Sequence, residues 1–228
     1  MILTLTLFSL AQLSTTPDSQ IDGYIVHERS VNTFIHNRQL DQAIAADTSG
    51  NILSVWGSRR QEVGTFGVFG AWLDPLGRPL GTELHINQTV QGHQTRPATA
   101  IGSDGTAWVV WESTGQDGDG LGIYARRLTL QTTAPEASKT LLPEGVEFRI
   151  NQERSGDQIH ATVEIDTNGN VLIAWEDWST GNAQIKARRF QLDGSGSSDE
   201  FLLGADHMKR QTLPCLAPLR AGNFVAVW

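Results

Sequence analysis

The sequence predicts an all-β protein: a β-propeller-like array of four-stranded antiparallel blades, three complete and one incomplete. The first observation behind this is a repeat of fixed internal spacing. Gln39 and Trp56, Gln94 and Trp111, Gln158 and Trp175, and Gln211 and Trp228 are each 17 residues apart, and Gly50, Gly105, Gly169 and Gly222 each stand six before the Trp. The second is that each Gly belongs to a turn sequence, TSGN, SDGT, TNGN or AGN, suited to the positive φ that a tight hairpin needs. The third is the run into each Trp, VLIAW in the third unit, which is apolar at successive rather than alternate positions, so both faces of that strand must be covered. Such a strand, recurring every 53 to 64 residues (175 to 228, 111 to 175), is what the stacking of blade upon blade requires. A pair of β-sandwich domains would impose no common spacing of Gln, Gly and Trp.

In chain order, residues 1–20 read as a signal peptide and linker. The apolar run from Ile2 to Leu13 is too short to span a bilayer, and Ser9-Leu10-Ala11 offers small residues at the cleavage positions, although no Lys or Arg precedes the run. A partly buried first strand is the other reading of this run. Residues 21–228 form a single repeat domain. Tyr24-Ile25-Val26 is a short strand, read as kin to Gly122–Leu128 and as the end of a unit whose beginning is absent. The units then run over about 32–73, 87–128, 151–190 and 206–228, and Asn32, Asn87 and Asn151 each stand 24 before the Trp. In the fourth unit Asp206 is read in place of Asn, 22 before Trp228. Each complete unit divides into four strands: ELHIN or EFRIN, the stretch from the Gln, the run into the Trp, and GVFGAWL, GIYARRL or QIKARRF. That division places the Trp on the third strand. The fourth unit lacks its last strand, and Tyr24–His27 is expected to supply it by pairing alongside Phe224–Trp228, which would close the chain into a ring without free sheet edges; the alternative is a fragment whose units belong to a larger ring.

The bulk composition excludes several classes of function. A formal net charge of −8 with scattered basic residues argues against nucleic acid as a partner. No later segment is apolar enough to span a membrane. The single cysteine, Cys215, makes no intramolecular disulfide, and its repeat equivalents Ala43, Ala98 and Thr162 mark it as a small buried strand residue rather than a nucleophile.

The pattern that joins Gln94, Pro97, Gly105, Trp111, Glu112 and Ser113 to Gly122–Leu128 and then EFRIN resembles the Trp-containing repeats of large secreted or surface proteins of bacteria. The resemblance covers about residues 32–228 and implies a propeller-like extracellular module, secreted or at the cell surface; it names no catalytic chemistry. Gly57 departs from it by replacing the Glu that follows the Trp. Ser103-Asp104-Gly105-Thr106-Ala107-Trp108 more weakly resembles the sialidase-type Asp box at compressed spacing. That motif is a structural hairpin and implies fold, not hydrolysis.

Residues able to carry chemistry are few. A sialidase-like hydrolase needs a Tyr-Glu nucleophile pair, an acid and an arginine cluster. Of the two tyrosines, Tyr124 shares its repeat position with Phe69 and Lys186, and Tyr24 sits in the ragged first strand. Arg126-Arg127 and Arg188-Arg189 recur in register, and neighbours on a strand face opposite ways, so they read as blade-surface charges. The six histidines show no zinc spacing and read as surface or turn residues. One metal site is considered: Asp117 and Asp119, at alternate positions of a Gly-rich loop, form a candidate calcium pair, against the plainer reading of a solvated turn. The function expected is therefore a non-enzymatic extracellular binding or scaffold module with a glycan or protein ligand. A propeller-borne glycoside hydrolase or lyase, and a structural spacer in a longer surface protein, are the alternatives.

Overall fold

The computed structural model describes residues 4–10, 20–21, 24–62, 65–133, 138–196, 198–204 and 209–228, with backbone alone for 4–10, 20–21, 24–29, 130–133, 138–139 and 221. Strands β1 (Thr4–Leu10), β2 (Gln20–Ile21) and β3 (Tyr24–Ser30) make an antiparallel sheet in the order β1-β3-β2. Three four-stranded antiparallel meanders follow. The first contains β4 (Gln39–Ala46), β5 (Ile52–Arg59), β6 (Phe66–Leu73) and β7 (Leu84–His85). The second contains β8 (Gln94–Ile101), β9 (Thr106–Thr114), β10 (Leu121–Thr133) and β11 (Ser138–Arg149). The third contains β12 (Gln158–Ile165), β13 (Asn170–Asp177), β14 (Gln184–Gln191) and β15 (Phe201–Leu202). A two-stranded sheet of β16 (Cys215–Pro218) and β17 (Phe224–Val227) ends the chain. Beyond strands, the described residues hold one short 3-10 turn, Arg220–Gly222, and no helix long and apolar enough to cross a membrane.

The phase of the repeat differs from the sequence reading. ELHIN and EFRIN do not open a unit. They form β7 and the end of β11, which pair with β6 and β10 as the outermost strands of the preceding sheet. The Gln strand is therefore first and the Trp strand second, with Trp56 opposite Phe69, Trp111 opposite Tyr124 and Trp175 opposite Lys186. The hydrogen-bond ladder decides the phase, because Asn87 to Gln94 and Asn151 to Gln158 are links that cross from one sheet to the next.

The four repeated glycines have the expected backbone, with φ between 79° and 86°. Around Gly169 the Asp166 carbonyl accepts from the Gly169 N–H at 3.1 Å, and Asp166 Oδ1 accepts from the N–H groups of Asn168 and Asn170 at 2.8 Å. Asp47 holds the Gly50 turn in the same way, so a short carboxylate satisfies the turn's backbone donors.

Cores lie between successive sheets. Leu53, Val55, Val68, Trp72 and Ile86 of the first pack on Ala107, Val109, Trp111, Tyr124 and Leu128 of the second. Trp108, Val110, Ile123 and Ile150 pack in turn on Val163, Ile173, Trp175 and Phe190 of the third. Trp56, Trp111 and Trp175 are fully buried, as the repeat predicts, but Trp228 is 49% exposed. The expectation fails there because β17 pairs with β16 alone and has no third strand beside it. Cys215, expected to be buried, is exposed on β16, and its repeat equivalents Ala43, Ala98 and Thr162 are themselves only half-buried, as befits a first strand with a ladder on one edge.

Two further expectations change. Arg126 and Arg188 are not blade-surface charges: Arg126 is buried and donates to the Ile86 carbonyl at 2.7 Å, and Arg188 donates to the Ile150 carbonyl at 3.0 Å. Each ties a third strand to the outer strand of the sheet before it. The Asn position of the fourth unit is filled by Gly204, while Asp206 lies outside the described residues. Asn87 and Asn151 accept the N–H of Val68 and Ile123 at 2.6 and 2.8 Å, and Ile185 makes its equivalent bond at 3.2 Å to the side chain of Gln211. A Cβ on Gly204 would lie 2.1 Å from the Gln211 amide nitrogen, so the glycine leaves room for a side chain that replaces the missing Asn. Asn87 is itself buried, which makes its Asn-x-Thr sequence a structural feature.

The expected pairing of Tyr24–His27 with Phe224–Trp228 is not observed, since β3 pairs with β1 and β2. Nor is β3 kin to Gly122–Leu128. It leads through buried Val31 and Asn32 into β4, as β7 leads through Ile86 and Asn87 into β8, and so matches a fourth strand in chain position, with the short β2 paired on its far edge.

Candidate functional site

The first strands β4, β8, β12 and β16 lie in succession, each against the next. At their turn ends Ala46, Asp47, Ile101, Gly102, Ile165 and Asp166 surround a cavity of about 120 Å³. At their other ends a left-handed residue stands two after each Gln, within β4, β8 and β12 and just ahead of β16. Asp41, Arg96, His160 and Leu213, none of them glycine, have φ of 54°, 49°, 53° and 57°. The ladder slips at the same points, between Leu40 and Ala43, Thr95 and Ala98, and Ile159 and Thr162, which makes each a β-bulge. Left-handed backbone at a non-glycine residue costs on the order of 1–3 kcal/mol and persists only where surroundings enforce it, typically at functional sites.

At His160 and Leu213 the enforcing contact comes from the Glu that follows the Trp. Glu112 accepts the N–H of His160, in the next unit, at 2.8 Å, and also receives the Arg96 guanidinium of its own unit at 3.2 Å. Glu176 repeats the arrangement: it accepts the N–H of Leu213, in the next unit, at 2.8 Å and pairs with Nδ1 of His160 in its own unit at 2.6 Å. Both carboxylates are buried. Burial pushes the Glu112 carboxyl above the usual range, an effect that the His160 N–H and Arg96 partly offset. In the first unit Gly57 stands where the Glu would be, so this tie is made twice.

The side chains held in this way differ from unit to unit. Arg96 is half-exposed, and His160 is partly exposed beside it. Trp178 exists in the third unit alone and donates its Nε1 to Glu176 at 3.1 Å; the guanidinium of Arg210 lies 4.7 Å from its ring centre. Arginine, imidazole, indole and carboxylate thus meet at one end of the second to fourth first strands. Fixed polar groups beside a partly open aromatic ring form an arrangement that can bind the hydroxyls and apolar face of a sugar.

The repeated glutamines hold backbone carbonyls. The amides of Gln39, Gln94 and Gln158 each donate at 3.0 Å to the carbonyl three residues earlier, of His36, Gln91 and Ser155, and Gln94 accepts from Trp111 Nε1 at 3.1 Å. They fasten the link into each first strand. Asp117 is buried, with Oδ2 at 3.2 Å from Asn151 Nδ2, while Asp119 accepts the N–H of Gly156 at 3.0 Å. The two carboxylates of the candidate calcium pair face different partners, and among the described residues no group of three such side chains is gathered about one point. His160 is neither a turn nor a plain surface residue, contrary to expectation. The bulge that positions it has no compositional mark, though the added Trp three residues after Trp175 was a legible signal.

No protein-family model and no curated protein matches the chain. Among solved structures, an endo-arabinase from Bacteroides thetaiotaomicron is similar over 90% of this chain and 77% of its own, at 12% identity and a TM-score of 0.50. A protein of unknown function from Dyadobacter fermentans is similar over 73% of this chain and 69% of its own, at 11% identity and a TM-score of 0.31. At such identity the first likeness speaks to fold: the sequence builds an all-β array of antiparallel sheets like that of the endo-arabinase.

Proposed function

We propose that the protein is a glycan-binding module whose ligand sits over His160, Trp178 and Arg96 at the open end of the first strands. The observation that carries this reading is that an imidazole and an indole, absent from the matching positions of the other units, meet on one buried carboxylate, Glu176, while Arg96 is held by Glu112, which also accepts the His160 N–H. The likeness to an endo-arabinase supports it, because that protein bears on an arabinose-containing glycan with a similar fold. Hydrolysis is the second reading, and Glu112 and Glu176, both touching His160, favour it as a carboxylate pair. Binding is preferred because both carboxylates are buried and committed to backbone N–H groups of the next unit. The test is a glycan array, arabinans included, run beside a panel of chromogenic glycosides. Retention of a glycan that weakens about tenfold or more in His160→Ala, without turnover, supports binding. Turnover abolished in Glu176→Gln selects the hydrolase, and neither retention nor turnover rejects both.

A further inference from the structure

The half-sheet β16–β17 and the β1–β3 hairpin, read by register, are the two halves of one sheet. In the first three sheets the residue two before the Asn position pairs with a fixed place on the third strand: His85 with Phe69, Arg149 with Tyr124, and Leu202 with Lys186. That third-strand place in turn faces Trp56, Trp111 or Trp175. At the N-terminus Ser30 stands two before Asn32 and pairs with Thr4. By position, then, β3 is a fourth strand and β1 a third strand, and the Trp that Thr4 would face is Trp228. Four residues on, Leu73, Leu128 and Phe190 are all buried, and the matching residue in the sequence is Phe8.

The C-terminal half shows the complementary lack. β17 has only β16 beside it, and Val225, Val227 and Trp228 are exposed, whereas the corresponding Val110 and Trp111 of the second sheet are fully buried. A cleft of about 340 Å³ lies along it, lined by Phe224, Ala226, Phe190, Phe201 and Leu203. The half-sheets also flank the array correctly. Leu216 of β16 joins a cluster with Leu172, Ala174 and Ile185 of the third sheet, and Val31, just after β3, joins one with Trp56, Phe69 and Leu73 of the first.

The geometry points to closure by this chain's own N-terminal sheet: β1 docks antiparallel on the free edge of β17, with Thr4 opposite Trp228, Thr6 opposite Ala226 and Phe8 opposite Phe224, giving the sheet β16-β17-β1-β3-β2. In this state Thr4–Leu10 is a structural strand retained in the folded protein, which is exclusive of its removal as part of a leader. Two cysteine pairs test the register, Thr6→Cys with Ala226→Cys and Leu7→Cys with Val225→Cys, each with Cys215→Ser. Successive antiparallel pairs alternate between wide and narrow spacing, so one of the two meets disulfide geometry. The expected result is an intrachain disulfide in a monomer for at least one pair, mapped by peptide mass under non-reducing conditions. Crosslinked dimers, or no disulfide in either pair, would overturn the proposal. Hydrogen exchange of the unsubstituted protein gives a second readout: amides of Phe224–Val227 protected on both edges as in β13 support closure, and exchange along the outer edge at the rate of an open strand contradicts it. Intact mass of the exported or purified protein lacking residues 1–20 would contradict it as well.

Discussion

Glycine at the hairpin turns and glutamate at the bulges show how far one residue can be argued from its surroundings. Gly105 has φ of +86°, and a Cβ built there meets nothing within 4 Å, so Gly105→Ala isolates the backbone term. It is expected to lower stability by about 1 kcal/mol, read as a shift in denaturant midpoint at constant slope. Glu112 is the electrostatic counterpart. Its folded-state carboxyl titrates above the usual value of 4.5 because burial disfavours the charge, so the folded protein binds this proton more tightly than the unfolded chain. The contribution of this group is most favourable below that value and is lost as pH rises through the raised one. Glu112→Gln should therefore compare least well with the parent protein under acid conditions and improve relative to it as pH rises through this window, measured by unfolding at a series of pH values. The glycines were legible because positive φ selects residue type. The αL positions at His160 and Leu213 were not, since their N–H groups are held by Glu112 and Glu176, 48 and 37 residues away, which a local pattern cannot reveal.

Among elements, the second strand of each four-stranded sheet is the one on which packing depends. It is covered on both faces by neighbouring sheets and on both edges by β-ladders, which explains why its apolar run is continuous. Trp111→Ala and Trp175→Ala should each cost about 3–5 kcal/mol by chemical unfolding, the usual penalty for emptying a core aromatic site, and a change below about 1 kcal/mol would contradict the packing described. The spacing of Gln, Gly and Trp made these strands and their turns readable without coordinates. What it could not give was their phase. ELHIN and EFRIN look alike whether they begin one sheet or end another, and only hydrogen-bond pairing across a sheet decides between them. The same ambiguity hid the kinship of β3 with β7 and β11, and it hid Gly204, where a glycine and a distant glutamine together replace one asparagine.

For the whole molecule, the repeat and the site are in tension, and that tension carries the functional reading. Uniform positions build the sheets, while Arg96, His160, Trp178 and Arg210 break uniformity where successive bulges face each other. The charge balance and repeat pattern pointed to a binding module, but the sequence did not show where a ligand would sit, because the residues concerned are spread over more than a hundred positions and meet only through Glu112 and Glu176. Trp178 offers a direct observable, since Trp56, Trp108, Trp111 and Trp175 are fully buried, Trp72 is nearly so, and the exposed Trp228 is common to the parent protein and to Trp178→Phe, so the difference between the two isolates Trp178. The most direct measurement is a tryptophan-fluorescence titration of the protein and of Trp178→Phe with arabinan oligosaccharides and with each glycan retained on the array. The account predicts a saturable change in the parent protein that is lost in Trp178→Phe, while calorimetry shows the glycan still bound with affinity reduced by a few fold. An equal fluorescence change in both proteins, or glycan binding that leaves the emission of the parent protein unaltered, would contradict it.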